Sequence, residues 1–84
     1  MESPKPKTPM IANRGQTAKN FIKITTASLD ARQWLEQYGP SVGNMLPSGT
    51  WKYGVIAVYH LWVSDVFDAD EVCAYINSMA EQFT

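Results

Sequence analysis

The chain has 84 residues, 45% of them apolar, and its seven basic and eight acidic side chains give a formal charge of −1. A chain of this size buries only about 60% of its unfolded surface, which fits one small domain and excludes a second. The longest uninterrupted apolar run, Val55 to Tyr59, is far shorter than the ~20 residues of a membrane span, and a single cysteine excludes an internal disulfide or a multi-cysteine metal site.

The first 18 residues are predicted to form a flexible basic arm, because they are rich in Pro, Lys, Thr, Gly and Asn and show no apolar periodicity. The start, MESPKPKTPM, carries charges and prolines where a secretory signal carries an apolar stretch, so we expect a cytoplasmic protein. Residues 1–23 hold five basic side chains and one acidic one, whereas residues 24–84 hold two basic and seven acidic ones. The sequence therefore indicates a basic arm, 1–18, joined to one domain, 19–84, with an acidic body.

A strand and a helix are predicted after the arm. Phe21 to Ala27 is rich in β-branched residues and alternates apolar with polar positions, which is typical of a strand with one buried face. Asp30 then stands where a helix N-cap is expected, with Gln33 completing a capping box. Gly39 and Pro40 indicate the end of this helix. Its apolar stripe consists of Ala31, Trp34, Leu35 and Tyr38.

The second half of the chain repeats the order of strand and helix. Residues 40–50 are rich in Pro, Gly and Ser, so they predict a loop. Trp51 to Val63 is apolar on both faces and predicts a central strand, or two strands if it is broken. The chain before it is long enough for a crossover between parallel strands. Asp68 as N-cap and Glu71 as its box partner begin the last helix.

These elements predict a small α+β domain of βα(β)βα order, with two or three strands and two short helices. Such a set cannot cover both faces of the strand that ends at Val63, because two helices and one other strand offer too little surface. Part of the arm pairing as a third strand would cover some of it. A further possibility is that the face carrying Ile56, Val58, His60 and Trp62 binds another molecule.

Catalytic chemistry finds no support in the sequence. His60, the only histidine, has no nucleophile in an evident context, and Cys73 lies on an apolar helical stripe where a thiol acts as a small hydrophobe. The acidic residues between Asp65 and Glu71 do not have the spacing of a calcium loop, and the glycines lack the spacing of a phosphate cradle. We therefore expect a protein that is not an enzyme and that uses no metal and no cofactor.

The sequence favours a small protein-binding module that acts by surface occlusion or as an adaptor, either on a partner with a basic surface or by self-association through the sheet as a homodimer. One candidate subclass for this protein is the group of inhibitors that phages and plasmids make against host nucleic-acid machinery. The predicted partner-binding residues are Ile56, Val58, His60, Trp62, Asp65, Asp68, Asp70 and Glu71.

The alternative is a nucleic-acid-binding protein, in which the basic arm binds phosphates while exposed aromatic side chains stack on bases. The phosphate contacts would then come from Lys5, Lys7, Arg14, Lys19 and Lys23.

Overall fold

The structure is a computed structural model, and it describes residues 10–15, 19–51 and 56–83, with the side chains of residues 50 and 51 left out. The α+β class is confirmed, but the sheet has four strands instead of two or three, in the order β1-β2-β4-β3, and every neighbouring pair is antiparallel. The elements are β1 (Met10–Asn13), β2 (Phe21–Thr26), α1 (Leu29–Val42), β3 (Gly43–Trp51), β4 (Ile56–Val63), α2 (Ala69–Met79) and a 3-10 turn (Ala80–Phe83).

Helix α1 begins and ends at positions that differ from the prediction. Its N-cap is Ser28, whose hydroxyl accepts from the Ala31 amide at 3.2 Å, so Asp30 lies inside the first turn. The helix also continues through Gly39 and Pro40 to Val42. A Cβ at Gly39 would lie 3.0 Å from Met45 Cε and still closer to its sulfur. Gly39 therefore allows α1 to approach β3, and it does not terminate the helix.

The segment predicted as a loop forms the edge strand β3, and this changes the topology. Strand β4 lies between β2 and β3 and is antiparallel to both, so β2 and β3 are parallel to each other. Helix α1 is thus a crossover between parallel strands, as expected, but the strands it joins are β2 and β3 in a split βαβ unit. The expectation that the crossover leads from β2 to a long apolar strand parallel to it is wrong, because β3 reverses the chain before β4, and β2 and β4 are antiparallel.

Part of the segment 1–18 pairs as a strand of the sheet, which is one of the alternatives that the sequence left open. Met10–Asn13 pair with Lys23–Thr26 as the edge strand β1, while residues 1–9 and 16–18 lie outside the described residues. Helix α2 contacts β1 at the edge that does not pair with β2. The Asn77 side chain accepts from the Ala12 amide at 2.8 Å and donates to the Ala12 carbonyl at 3.0 Å. It thereby occupies backbone groups of an edge strand that would otherwise be available for pairing with another chain.

Replacing Asn77 by alanine is expected to lower the free energy of unfolding by about 1–2 kcal/mol, because two hydrogen bonds to a partly buried backbone are lost. Amide hydrogen exchange at Ala12 should accelerate in the same variant. Ser78→Ala is the matched control, since Ser78 is exposed and its hydroxyl only donates to the Tyr75 carbonyl at 2.7 Å. Equal exchange rates at Ala12 in the wild type and the Asn77 variant would show that Asn77 does not hold the edge.

Helix α2 begins as predicted, with Asp68 as N-cap accepting from the Asp70 amide at 2.9 Å. Both helices pack on the same face of the sheet. The core between them includes five fully buried aliphatic side chains, which are Ile22, Ile24, Leu35, Leu61 and Ile76. No helix within residues 10–15, 19–51 and 56–83 is both long enough and apolar enough to cross a membrane.

Candidate docking surface on the sheet

The face of the sheet opposite the helices has no described helix over it, and we refer to it as the open face. The pairing register decides its members, because residues directly opposite each other on neighbouring strands share a face. Phe21 lies opposite Trp62, and Lys23 lies opposite His60. The open face consists of Ile11, Asn13, Phe21, Lys23, Thr25, Asn44, Leu46, Ile56, Val58, His60 and Trp62.

The four partner-binding residues predicted on β4 all lie on the open face, but they differ in accessibility. Trp62 is 39% exposed, and Ile56 and His60 are half-buried. Val58 is only 4% exposed, so it supports the surface and offers little contact area of its own. Both buried open-face side chains, Phe21 and Val58, are separate from the core cluster beneath the helices.

An aromatic cluster forms one end of the open face. The Phe21 ring centroid lies 5.1 Å from that of His60 and 5.2 Å from that of Trp62, and the last two are 6.0 Å apart. These separations are those of edge-to-face and tilted aromatic pairs. Phe21 is buried beneath its two partners, so the half-exposed Trp62 ring rests on a packed base.

Sequence reasoning missed three apolar contributors to this surface. They are Phe21 in the cluster, Leu46 on β3, which is 49% exposed, and Ile11 on β1, which is 51% exposed. The alternation in FIKITT already placed Phe21 on the same face as Lys23, and that signal pointed away from the buried isoleucines. Leu46 and Ile11 had no such signal, because residues 40–50 were predicted to be a loop and the arm was only one of several possible sources of a third strand.

The described side chains of the open face include one lysine and no carboxylate. None of the four strands contains an aspartate or glutamate, and Lys23 is the one lysine or arginine among the described strand residues. Every acidic residue of the described ranges lies in a helix, in the 3-10 turn or in the loop that leads to α2. The acidic body inferred from the sequence is therefore the helical side of the molecule and the loop at one end of the sheet.

The predicted acidic rim, Asp65 to Glu71, has structural roles of its own. Asp65 accepts from the Asn20 side chain at 2.7 Å, Asp68 caps α2, and Asp70 forms an ion pair with Arg14. Glu71 is exposed. The rim lies near the aromatic end of the sheet, because Asn20 directly precedes Phe21 and its carbonyl accepts from the Val63 amide at 2.9 Å.

The predicted phosphate contacts do not form one cluster. The Arg14 guanidinium donates to the Phe21 carbonyl at 3.1 Å and to the Lys19 carbonyl, and it also pairs with Asp70. It thus ties the end of β1 to the start of β2 and of α2. Lys19 is exposed at this turn, and Lys23 lies on the open face. The remaining two residues, Lys5 and Lys7, lie outside the described residues.

A second aromatic group fills the gap between the helices. Trp34 stacks on Tyr38 with centroids 4.9 Å apart and planes 11° apart, and both rings contact Tyr75. Burial raises the pKa of Tyr38, and the neighbouring Tyr75 adds to this shift. These rings join α1 to α2 and belong to the helical side.

Within the described residues, the buried polar side chains beneath the helices all have hydrogen-bond partners. The Tyr59 hydroxyl donates to Glu36 at 2.8 Å, and burial, with a further effect of this bond, raises the pKa of Tyr59. The Cys73 thiol donates to the Ala12 carbonyl at 3.4 Å, and burial raises its pKa, so the neutral thiol is favoured. Within the described ranges, no three His, Cys, Asp or Glu side chains lie close enough together to hold a metal ion.

Comparison with protein-family models, with curated proteins and with solved structures gives no match to this chain. A functional conclusion therefore rests on the geometry of the open face.

Proposed function

We propose that this protein is a small non-enzymatic binding module that docks its open face on a partner protein and acts by occluding a surface or as an adaptor. The observation that carries the proposal is the combination of exposed apolar side chains with a one-sided sheet. Both helices cover the same face, while Ile11, Leu46 and Trp62 remain 51%, 49% and 39% exposed on the other. Large apolar side chains exposed beside polar ones on one face of a small domain are typical of an interaction site.

The aromatic cluster has the features of an interface anchor. Tryptophan and tyrosine dominate the energetics of protein interfaces, and an anchor binds best when its rotamer is already held by packing. The contacts of Trp62 with Phe21 and His60 provide such packing. A partner would therefore meet a preformed aromatic surface and would lose little side-chain entropy on binding to it.

The charges on the open face do not favour the basic partner surface that was expected from the sequence. A basic target was expected because of the acidic rim, yet three of its four members already have partners within the protein. The open face itself carries Lys23 and no carboxylate from the strands. We therefore propose that the partner's contact surface is apolar at its centre and neutral or acidic around it.

The experiment that tests this function compares capture of host proteins by the wild-type chain and by two charge variants. Leu46→Asp places a carboxylate on the open face, whereas Ser78→Asp places one on the exposed side of α2. We expect a defined host protein to bind the wild type and the Ser78 variant and to bind the Leu46 variant at least about tenfold more weakly. Equal capture by all three folded proteins would contradict docking through the open face.

Self-association is a separate outcome that sedimentation velocity measures on the purified chain. Two open faces packed together would bring two copies of Lys23 into one interface, and like charges in an interface oppose binding. We therefore favour a different protein as the partner. A concentration-dependent dimer that Leu46→Asp dissociates would instead identify a second copy of this chain as the occupant.

A second candidate function, the binding of single-stranded nucleic acid, is favoured by one observation. Lys23 lies directly opposite His60 and on the same face as the exposed Trp62 ring, and an exposed ring with a nearby cation is what base stacking and phosphate binding require. Titration with labelled single-stranded DNA and RNA tests it. Micromolar binding that weakens with salt, and that falls in a Lys5→Gln, Lys7→Gln double variant, would favour this function over protein docking.

A further inference from the structure

A groove runs along the open face where β1 pairs with β2. It encloses about 420 Å³ and is lined by Ile11, Asn13, Gly15, Phe21, Lys23 and Thr25. All of the lining residues except Gly15 are members of the open face, so the groove is continuous with the aromatic cluster through Phe21. The groove therefore belongs to the proposed docking surface and has its own shape and chemistry.

One end of the groove is formed by Gly15, whose left-handed backbone conformation favours glycine. Gly15 has a φ of +66°, in the left-handed region, and its amide donates to the Asn13 side-chain oxygen at 3.0 Å. A Cβ at this position would lie 3.2 Å from the Phe21 ring. The backbone here can thus approach the ring closely, and the Asn13 side-chain oxygen is held by the Gly15 amide.

The groove combines apolar walls with a single cation. Ile11 and Phe21 are the apolar walls, and Lys23 lies between Asn13 on β1 and His60 on β4 in the strand register. Among the described residues, no aspartate or glutamate forms an ion pair with Lys23. The ion pair within these residues joins Arg14 to Asp70. A carboxylate placed beside Lys23 would gain a charge-assisted hydrogen bond, and an apolar side chain next to it would fit against Ile11.

We propose that this groove recognises an acidic segment of the partner protein, in which an aspartate or glutamate lies next to an aliphatic or aromatic residue. The proposal rests on the proposed function, because it names the chemistry of the partner at the same surface. A peptide fits better than a nucleic acid for a reason of charge. Phosphate chains need several cations, whereas Lys23 is the one lysine or arginine on the described part of the open face.

The test selects peptides from a displayed random decapeptide library on the full wild-type chain and on two variants. Lys23→Glu reverses the charge in the groove, and Lys19→Glu makes the same change in net charge at an exposed turn outside it. We expect the wild type and the Lys19 variant to enrich peptides with a carboxylate beside an apolar residue. Synthetic copies of these peptides should bind the Lys23 variant at least about tenfold more weakly, which corresponds to about 1.4 kcal/mol.

Three other results would overturn the inference. Selected peptides that are basic, or that bind the Lys23 variant equally well, would show that the groove does not read a carboxylate. If such peptides still lose binding in Leu46→Asp, docking through the open face stands and only the groove assignment fails. The third result is that no peptide is selected but an oligo-dT probe binds in a salt-dependent way. If Lys23→Glu abolishes that binding and Lys19→Glu does not, Lys23 binds phosphate instead of a carboxylate.

Discussion

Replacing Gly43 by alanine is expected to cost about 3 kcal/mol of unfolding free energy, which is the upper end of the usual penalty for overpacking. Gly43 is the first residue of β3 and pairs with Val63 at the end of β4. A Cβ at Gly43 would lie 2.8 Å from the Val63 Cα and 2.9 Å from the Trp62 carbonyl carbon, and still closer to the carbonyl oxygen. These atoms are backbone of a central strand, so they cannot move away without breaking the pairing.

Gly39→Ala provides the contrast, because the two nearest neighbours of the added Cβ are the sulfur and methyl of a flexible methionine, and the third, the Met45 Cβ, is 3.2 Å away. Met45 is half-buried and can adopt another rotamer, and alanine within a helix gains about 1 kcal/mol over glycine. We therefore expect Gly39→Ala to change the unfolding free energy by less than about 1 kcal/mol in either direction. Urea unfolding of both variants measures the difference. A Gly43 variant as stable as the Gly39 variant would contradict the close approach of β3 to β4.

The second large effect is expected at Leu61, which is fully buried against the helices. Leu61→Ala should lower the unfolding free energy by about 3 kcal/mol, because the substitution removes buried methyl groups and leaves a cavity. A domain of this size has a total stability of about 4–12 kcal/mol, so a large share of it would be lost. The change should appear as a lower urea midpoint with an unchanged slope.

Leu46→Ala is the matched control, since it is the same substitution on the opposite face of the sheet. Leu46 is 49% exposed and lies opposite His60, the residue before Leu61. We expect a cost of less than about 1 kcal/mol for the loss of contacts that are only half-buried, and a clear loss of partner binding. Equal destabilisation by the two substitutions would mean that the open face is part of the folding core and would remove the basis for a docking surface.

The helices and the central strand were predictable because their signals are local. The caps and apolar stripe of α2 involve residues within one or two turns of each other, and Asp68 is the N-cap in both the prediction and the structure. The alternation from Ile56 to Val63 likewise predicted that Ile56, Val58, His60 and Trp62 share a face. Local signals fail where several residues compete for one role, as when Ser28 caps α1 in place of Asp30.

The candidate site could be predicted only in part, because most of its surface comes from other strands. Phe21, Leu46 and Ile11 join β4 through pairings that connect residues distant in sequence. The predicted acidic residues and Arg14 were expected to face outside partners, but the fold turns Arg14 and Asp70 towards each other. Charge totals along a sequence do not show which charges neutralise one another within the folded protein.

Capping and apolar periodicity act between near neighbours, so the order of residues was enough to predict the α+β class, the two helices and strands within residues 21–27 and 51–63. Met10–Asn13 and Gly43–Trp51 have no periodic pattern, so their positions as edge strands depend on long-range pairing with the inner strands. Long-range packing also places both helices on one side of the sheet. Which face is left open depends on how the whole chain packs, and residue spacing alone does not encode it.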